Sequence, residues 1–115
     1  MLFLCYERCS TCKKARRWLD EHGAAYELRD IKTQNPTEEE LREWQARSGL
    51  PLRRFFNTSG QQYRALGLKD RLPAMSEDEQ FRLLASDGML VKRPLLITDE
   101  WVIPGFSEET YAAAL

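Results

Sequence analysis

Two cysteines in the segment Cys9-Ser10-Thr11-Cys12 are the residues of this chain best suited to chemistry. The thiolate is the reactive form of cysteine, and the unpaired N–H groups and macrodipole of a helix start favour it. Helical spacing begins at about Thr11, so Cys9 falls where that field acts. Cys12 falls in the first turn on the inward-facing side. The roles this implies are unequal. Cys9 attacks a disulfide, and Cys12 attacks the mixed disulfide so formed and releases it as an internal Cys9–Cys12 disulfide.

Two plainer uses of the pair carry less weight. A zinc site needs four soft or imidazole ligands, and only Cys5 and His22 remain to complete it. Cys5 lies in an apolar run expected to be buried, and His22 is roughly 15 Å along the helix from Cys9 at the helical rise. Packing as a small hydrophobe suits Cys5 well and Cys12 only in part. A Cys-x-x-Cys after a strand, within a strand-helix-strand pattern, points to a thioredoxin-like redox site.

The elements that must position these thiols follow from the hydrophobic pattern. Residues 2 to 6 read as a buried strand feeding the cysteine loop. The first helix runs from about Thr11 to Glu21, with Cys12, Ala15, Trp18 and Leu19 on one face, Ser10 or Thr11 as its cap and Gly23 as its end. Ala25 to Arg29 alternates as a second strand, for which parallel pairing is expected. Thr37 with Glu40 forms a capping box for a second helix that Gly49 closes, and Leu41 and Trp44 supply its apolar face. Between Leu52 and Pro73 the short apolar clusters read as short helices. Ser76 with Glu79 opens another helix, with Phe81, Leu84 and Ala85 on one stripe and Gly88 as its stop. Pro94 to Thr98 and Trp101 to Ile103 form a hairpin, and Ser107 to Leu115 a closing helix.

One α/β domain over residues 1–115 is therefore expected, with material enough to bury a core without disulfide staples. The 17 basic and 18 acidic side chains nearly cancel, so no overall field argues for nucleic acid or an anionic membrane. The apolar start, Met1 to Tyr6, lacks a charged lead-in and is too short to span a bilayer. A cytoplasmic monomer is the expectation, with its cysteines reduced.

Longer motifs extend the pattern: Cys9-Ser-Thr-Cys12-Lys-Lys-Ala-Arg16, Phe55-Phe-Asn-Thr-Ser-Gly60, Leu83-Leu-Ala-Ser-Asp-Gly-Met-Leu-Val-Lys-Arg-Pro-Leu95, and Gly105-Phe106. In this order, over nearly the whole chain, they resemble the arsenate reductase and Spx-related family of the thioredoxin superfamily. The Cys-x-x-Cys resembles most the subgroup of Spx and MgsR type. The resemblance implies a thioredoxin-like fold, a four-stranded mixed sheet flanked by helices with a helical insertion, and a cis peptide before Pro94 opposite the thiol. It also implies that Arg93 helps hold an anionic substrate and lowers the Cys9 pKa, with Ser10, Thr11 and Pro94 beside the substrate. A guanidinium suits that role because it forks onto an oxyanion with two hydrogen bonds. An exposed strand-end arginine is the plainer fate.

Two departures from the arsenate reductase pattern stand out. Asn57 occupies the place of one oxyanion-binding arginine, and the Gly105-Phe106 region replaces another. Arg53, Arg54 and Arg64 are the nearby substitutes, each also readable as a solvated surface residue. Two functions follow. The first is a reductase of disulfides or of an oxyanion such as arsenate, with no bound cofactor, its thiols restored by glutathione, glutaredoxin or thioredoxin. The second is an Spx-like redox-sensing regulator that binds the RNA polymerase α subunit, supported by the basic stripe Lys13, Lys14, Arg16 and Arg17. Spx proteins carry a basic extension after the last helix, which this sequence does not show after Leu115, so the reductase is the leading expectation.

Overall fold

The computed structural model describes all residues, Met1 to Leu115. Strand β1 (Leu2–Cys5) leads into helix α1 (Ser10–Glu21), and β2 (Glu27–Asp30) returns parallel to β1. Helix α2 (Glu38–Ser48), a 3-10 turn at Leu52–Phe55, short helices α3 (Gln61–Ala65) and α4 (Leu68–Arg71), and helix α5 (Glu77–Ser86) make the insertion. Strands β3 (Leu95–Ile97) and β4 (Val102–Pro104) form an antiparallel hairpin, and α6 (Glu108–Ala114) closes the chain. The sheet order is β2-β1-β3-β4, with β1 parallel to β2 and antiparallel to β3. This is the expected mixed four-stranded, thioredoxin-like sheet flanked by helices.

Strand side chains alternate between faces, and each face meets its own helices. Phe3, Cys5, Leu96 and Ile103 pack with Cys12, Ala15, Trp18 and Leu19 of α1 and Tyr111 of α6. Leu4, Leu95, Ile97 and Val102 pack with Leu41 and Trp44 of α2 and with Phe81 and Leu84 of α5. The cysteine helix and the insertion therefore lie on opposite faces of one sheet.

Both capping boxes are present: Thr37 with Glu40 opens α2, and Ser76 with Glu79 opens α5. Glu40 also accepts from Arg29 of β2 at 2.7 and 2.8 Å, tying helix to sheet, and that guanidinium holds its carboxyl below the usual carboxylate range. Gly49 ends α2 at φ 68°, a conformation that costs glycine little. Among the boundaries that differ from expectation, three have a clear local cause. β2 begins two residues later than Ala25, because Glu27 is the first residue registered against β1, opposite Leu2. α5 ends at Ser86, with Asp87 rather than Gly88 at its end, and the Asp87 side chain accepts from Met89 to open a 3-10 turn. The cap of α1 is neither Ser10 nor Thr11: the helix already includes both, and Cys9 is the capping residue.

Candidate active site

That shift of one residue matters, because it places Cys9 with extended backbone (φ −84°, ψ 122°) at the mouth of the helix. Its carbonyl accepts the first helical bond from Lys13 at 3.1 Å, while its own N–H is tied back to the Tyr6 carbonyl at 2.9 Å. The Cys9 sulfur closes no capping hydrogen bond and is partly exposed. Burial disfavours its thiolate. The backbone N–H groups of Cys12 and Thr11, the Cys12 thiol and the Arg93 charge together outweigh that penalty and hold Cys9 below an ordinary thiol. No acidic residue occupies the first turn to oppose them.

Cys12, one turn along, is buried, and its sulfur accepts the Tyr6 N–H at 3.3 Å. Neighbouring Cys5, then burial, and the charge at Cys9 push its thiol far up. One thiol is thus poised to ionise at the surface while the other keeps its proton beneath it. Cys5 is buried on the same side of the sheet and packs with Cys12. His22 is occupied at the far end of α1, stacked on Trp18 at 3.8 Å with Nδ1 2.8 Å from the Trp18 carbonyl.

Arg93, just before β3, lines the same groove as Cys9, and its charge favours the thiolate. The Arg93–Pro94 peptide is cis. Its guanidinium lies 5.3 Å from the centre of the Tyr6 ring, a cation–π contact, and donates to the Met89 carbonyl at 3.2 Å. Asn57 completes the arrangement: with its carboxamide oxygen turned to the guanidinium, it accepts from Nη1 at 3.1 Å and Nη2 at 3.3 Å. The Arg93 Nε–H is buried and unpartnered.

Asn57 is brought there by a short antiparallel bridge between Phe56 and Val91. The Asn57 N–H bonds the Leu90 carbonyl at 2.8 Å, and the Lys92 N–H bonds the Phe55 carbonyl at 2.7 Å. The insertion is thereby pinned alongside the segment that carries Arg93. Asn57 is buried, the one amide or charged side chain in the buried set.

These groups open onto a groove of about 910 Å³. Cys9, Ser10, Thr11, Asn57 and Arg93 line it. Pro94 does not: it is buried, and its carbonyl accepts from Gly105 at 2.8 Å. Of the candidate substitute arginines, Arg54 lines the groove, whereas Arg53 and Arg64 are exposed elsewhere. Arg8, Lys92 and Trp101 line it too and carried no sequence signal of their own.

A model of the ArsC family matches residues 4–114. The chain belongs to the ArsC family. Uncharacterized protein YusI of Bacillus subtilis is 51% identical over 111 residues, covering 96% of this chain and 94% of YusI. The crystal structure of an ArsC family related protein from Bacteroides fragilis matches with a TM-score of 0.96 and 50% identity, covering 99% of this chain and 96% of that one. The global transcriptional regulator Spx of Listeria innocua is 26% identical over 102 residues, covering 88% of this chain and 76% of Spx. Membership supports a thiol-oxidoreductase-like role for this ArsC-family chain, with Spx regulators among its relatives. No helix is long and apolar enough to cross a membrane.

Proposed function

We propose that the protein is a thiol–disulfide oxidoreductase with Cys9 as nucleophile, Cys12 as resolving thiol and Arg93 as the cation that favours the Cys9 thiolate. The observation that carries this is the pairing of a partly exposed thiol at the cap of α1, facing a groove, with a buried thiol one turn farther in. The Cys9 thiolate attacks a substrate disulfide, forming a Cys9–S bond as the substrate S–S bond breaks, and one substrate thiolate leaves and takes a proton. Formation of the mixed disulfide also removes the Cys9 charge, one of the influences that holds the Cys12 proton on. Cys12 then attacks the Cys9 sulfur, its proton passes to the second leaving thiolate, and the Cys9–Cys12 disulfide retains the two-electron oxidation. Glutathione, glutaredoxin or thioredoxin restores the dithiol by the reverse exchange. The cycle uses no bound metal or organic cofactor.

Ser10 and Thr11 line the groove, and in this reading they touch substrate, while the buried Pro94 does not. An oxyanion such as arsenate is a poorer fit than a disulfide. Asn57 offers no charge where the arsenate reductase pattern carries an arginine, and each missing charge-assisted hydrogen bond costs roughly 1.5–3 kcal/mol. The deciding experiment is stoichiometric: the reduced protein is mixed with a neutral small disulfide, and released thiol and Cys9–Cys12 disulfide are quantified. Formation of both, lost in Cys9→Ser, is expected. A Cys9 that reacts like a free cysteine with no internal disulfide formed would sink the proposal.

Similarity to Spx favours a second reading, in which oxidation of the pair alters a surface that binds the RNA polymerase α subunit. Lys13, Lys14, Arg16 and Arg17 are all exposed on α1 beside the thiols and would belong to such a surface. A pull-down of the α subunit by oxidised and by reduced protein tests it, and no enrichment in either state removes it.

A further inference from the structure

The groove around Cys9 is charged in one sense only. Arg8, Arg54, Lys92 and Arg93 line it, and no aspartate or glutamate does. This contrasts with the chain as a whole, where 17 basic side chains are balanced by 18 acidic ones. None of the four cations is engaged in an ion pair, since the salt bridges of this protein involve Arg29 and Arg42 alone. Arg8 and Arg54 are exposed and Lys92 half-buried, so their charges face whatever enters. Glu7, next to Arg8 in the chain, is exposed and outside the groove.

The size of the groove is informative too. Its volume of about 910 Å³ lies at the upper end of the roughly 300–1,000 Å³ typical of sites for drug-sized ligands. Only Arg93 is held in place next to Cys9, by Asn57, Tyr6 and the Met89 carbonyl. The other three reach the wall from three segments: Arg8 beside Cys9 in the chain, Lys92 beside Arg93, and Arg54 from the insertion. Such an arrangement suits several anionic groups on an extended molecule better than one small anion at the thiol.

We infer that the groove selects disulfides whose flanking groups carry carboxylates, with acidic thiol peptides as the substrate class and Arg54 and Lys92 as specificity-determining residues. The inference rests on the thiol–disulfide reading above. The covalent step is the one already written: Cys9 takes one sulfur of the anionic disulfide, Cys12 resolves, and two anionic thiols depart. Arg54 and Lys92 act on the flanking carboxylates and take no part in bond making.

The test uses three small symmetrical disulfides: 3,3′-dithiodipropionate as the dianion, bis(2-hydroxyethyl) disulfide as the neutral reference and cystamine as the dication. Second-order rates of single-turnover thiol release from each are measured with the reduced protein. Each rate is divided by the rate of the same disulfide with free 2-mercaptoethanol, which removes intrinsic reactivity. The normalised rates should fall from dianion to neutral to dication, with about tenfold between the extremes at low ionic strength and compression of the range as salt screens the groove. Arg54→Gln and Lys92→Gln, singly and together, should narrow the ratio of dianion to dication, whereas Arg53→Gln, on an exposed side chain outside the groove, should leave it alone. Equal normalised rates for all three disulfides with wild-type protein overturn the charge selection while leaving the oxidoreductase reading intact. A spread that is insensitive to salt, or that Arg53→Gln narrows as much as Arg54→Gln, overturns the assignment to this groove. No reaction with any of the three disulfides removes both readings together.

Discussion

With its carboxamide oxygen turned to the guanidinium, Asn57 accepts from Nη1 of Arg93 at 3.1 Å and from Nη2 at 3.3 Å, so a residue of the insertion holds the cation whose charge favours the Cys9 thiolate. Asparagine fixes the guanidinium without neutralising it. Aspartate at the same place would hold it more tightly and cancel its field at Cys9.

The Asn57→Asp variant should therefore raise the Cys9 pKa by about 1 unit, the lower end of the shift that one nearby charge produces. Following alkylation rate against pH measures this directly. Asn57→Ala should shift it less, because the charge remains while its position loosens. An Asn57→Asp midpoint equal to wild type would show that Arg93 does not act on the thiol.

Gly60 guards the same relationship. A Cβ built there would stand 2.5 Å from the terminal carboxamide atom of Asn57, although the Gly60 backbone itself (φ −82°) suits any residue. Gly60→Ala should displace the Asn57 side chain, leave stability within about 1 kcal/mol because a side-chain end can yield, and slow Cys9 alkylation at neutral pH. Unchanged alkylation would mean that Asn57 moves without taking Arg93 with it.

Cys9 should also write its ionisation into stability. Its folded pKa lies below the unfolded value, so the reduced folded protein binds fewer protons than the unfolded chain. Its contribution is complete above the unfolded thiol value of about 8.5 and disappears as pH falls through the folded pKa. The stability of wild type relative to Cys9→Ser, from urea denaturation under reducing conditions, should rise with pH across that window. Cys12→Ala removes the thiol donor that helps lower Cys9, so its Cys9 pKa should rise, and mass spectrometry should find the mixed disulfide with substrate trapped. A flat difference between wild type and Cys9→Ser would contradict the lowered thiol.

Much of this architecture is legible along the chain, because its signals are local. Cys9 and Cys12 announce themselves by spacing, and Thr37 with Glu40 and Ser76 with Glu79 mark helix starts within a single turn. The strands show in their alternation. Cysteine is a weak capping residue beside serine and threonine, so the cap of α1 reads one residue too late until the backbone is seen. Asn57, Arg54 and Lys92 are harder still. Local pattern alone leaves them as surface residues, only the family resemblance points to Asn57 and Arg54, and it is the Phe56–Val91 bridge that brings their two distant segments together. Between Leu52 and Ala74 the elements are three to five residues long, too short for a hydrophobic period to be read.

Tyr111 tests the packing under the cysteine helix. Its ring meets Trp18 and Phe106 edge-on at centroid distances of 5.6 and 4.8 Å, and its hydroxyl is buried with no partner. Burial, aided by Cys12, pushes its pKa up, so the group stays neutral. Tyr111→Phe keeps both ring contacts and removes the orphan hydroxyl, so it should be neutral or stabilising by about 1 kcal/mol in urea denaturation. A loss of more than about 1 kcal/mol would require a partner for that hydroxyl.

Gly88 makes the strictest steric demand in the fold. A Cβ there would lie 1.8 Å from the Ile31 carbonyl oxygen and 2.8 Å from its carbon, both backbone atoms that cannot rotate away. Ile31 follows β2 and is tied to the end of β1 by its N–H bond to the Cys5 carbonyl at 3.0 Å, so a retreat would strain the sheet edge. Gly88 cannot move outward freely either, since the turn it begins leads into Leu90 and Val91, which hold the insertion against the Arg93 segment. Gly88→Ala should therefore cost about 3 kcal/mol or more, as overpacking against fixed atoms does. Thermal denaturation should show a drop on the order of 10 °C for a domain of this size. If the variant melts with wild type, the chain between Ile31 and Asn35 yields to a methyl group, and the close approach at Gly88 is not what fixes the insertion in place.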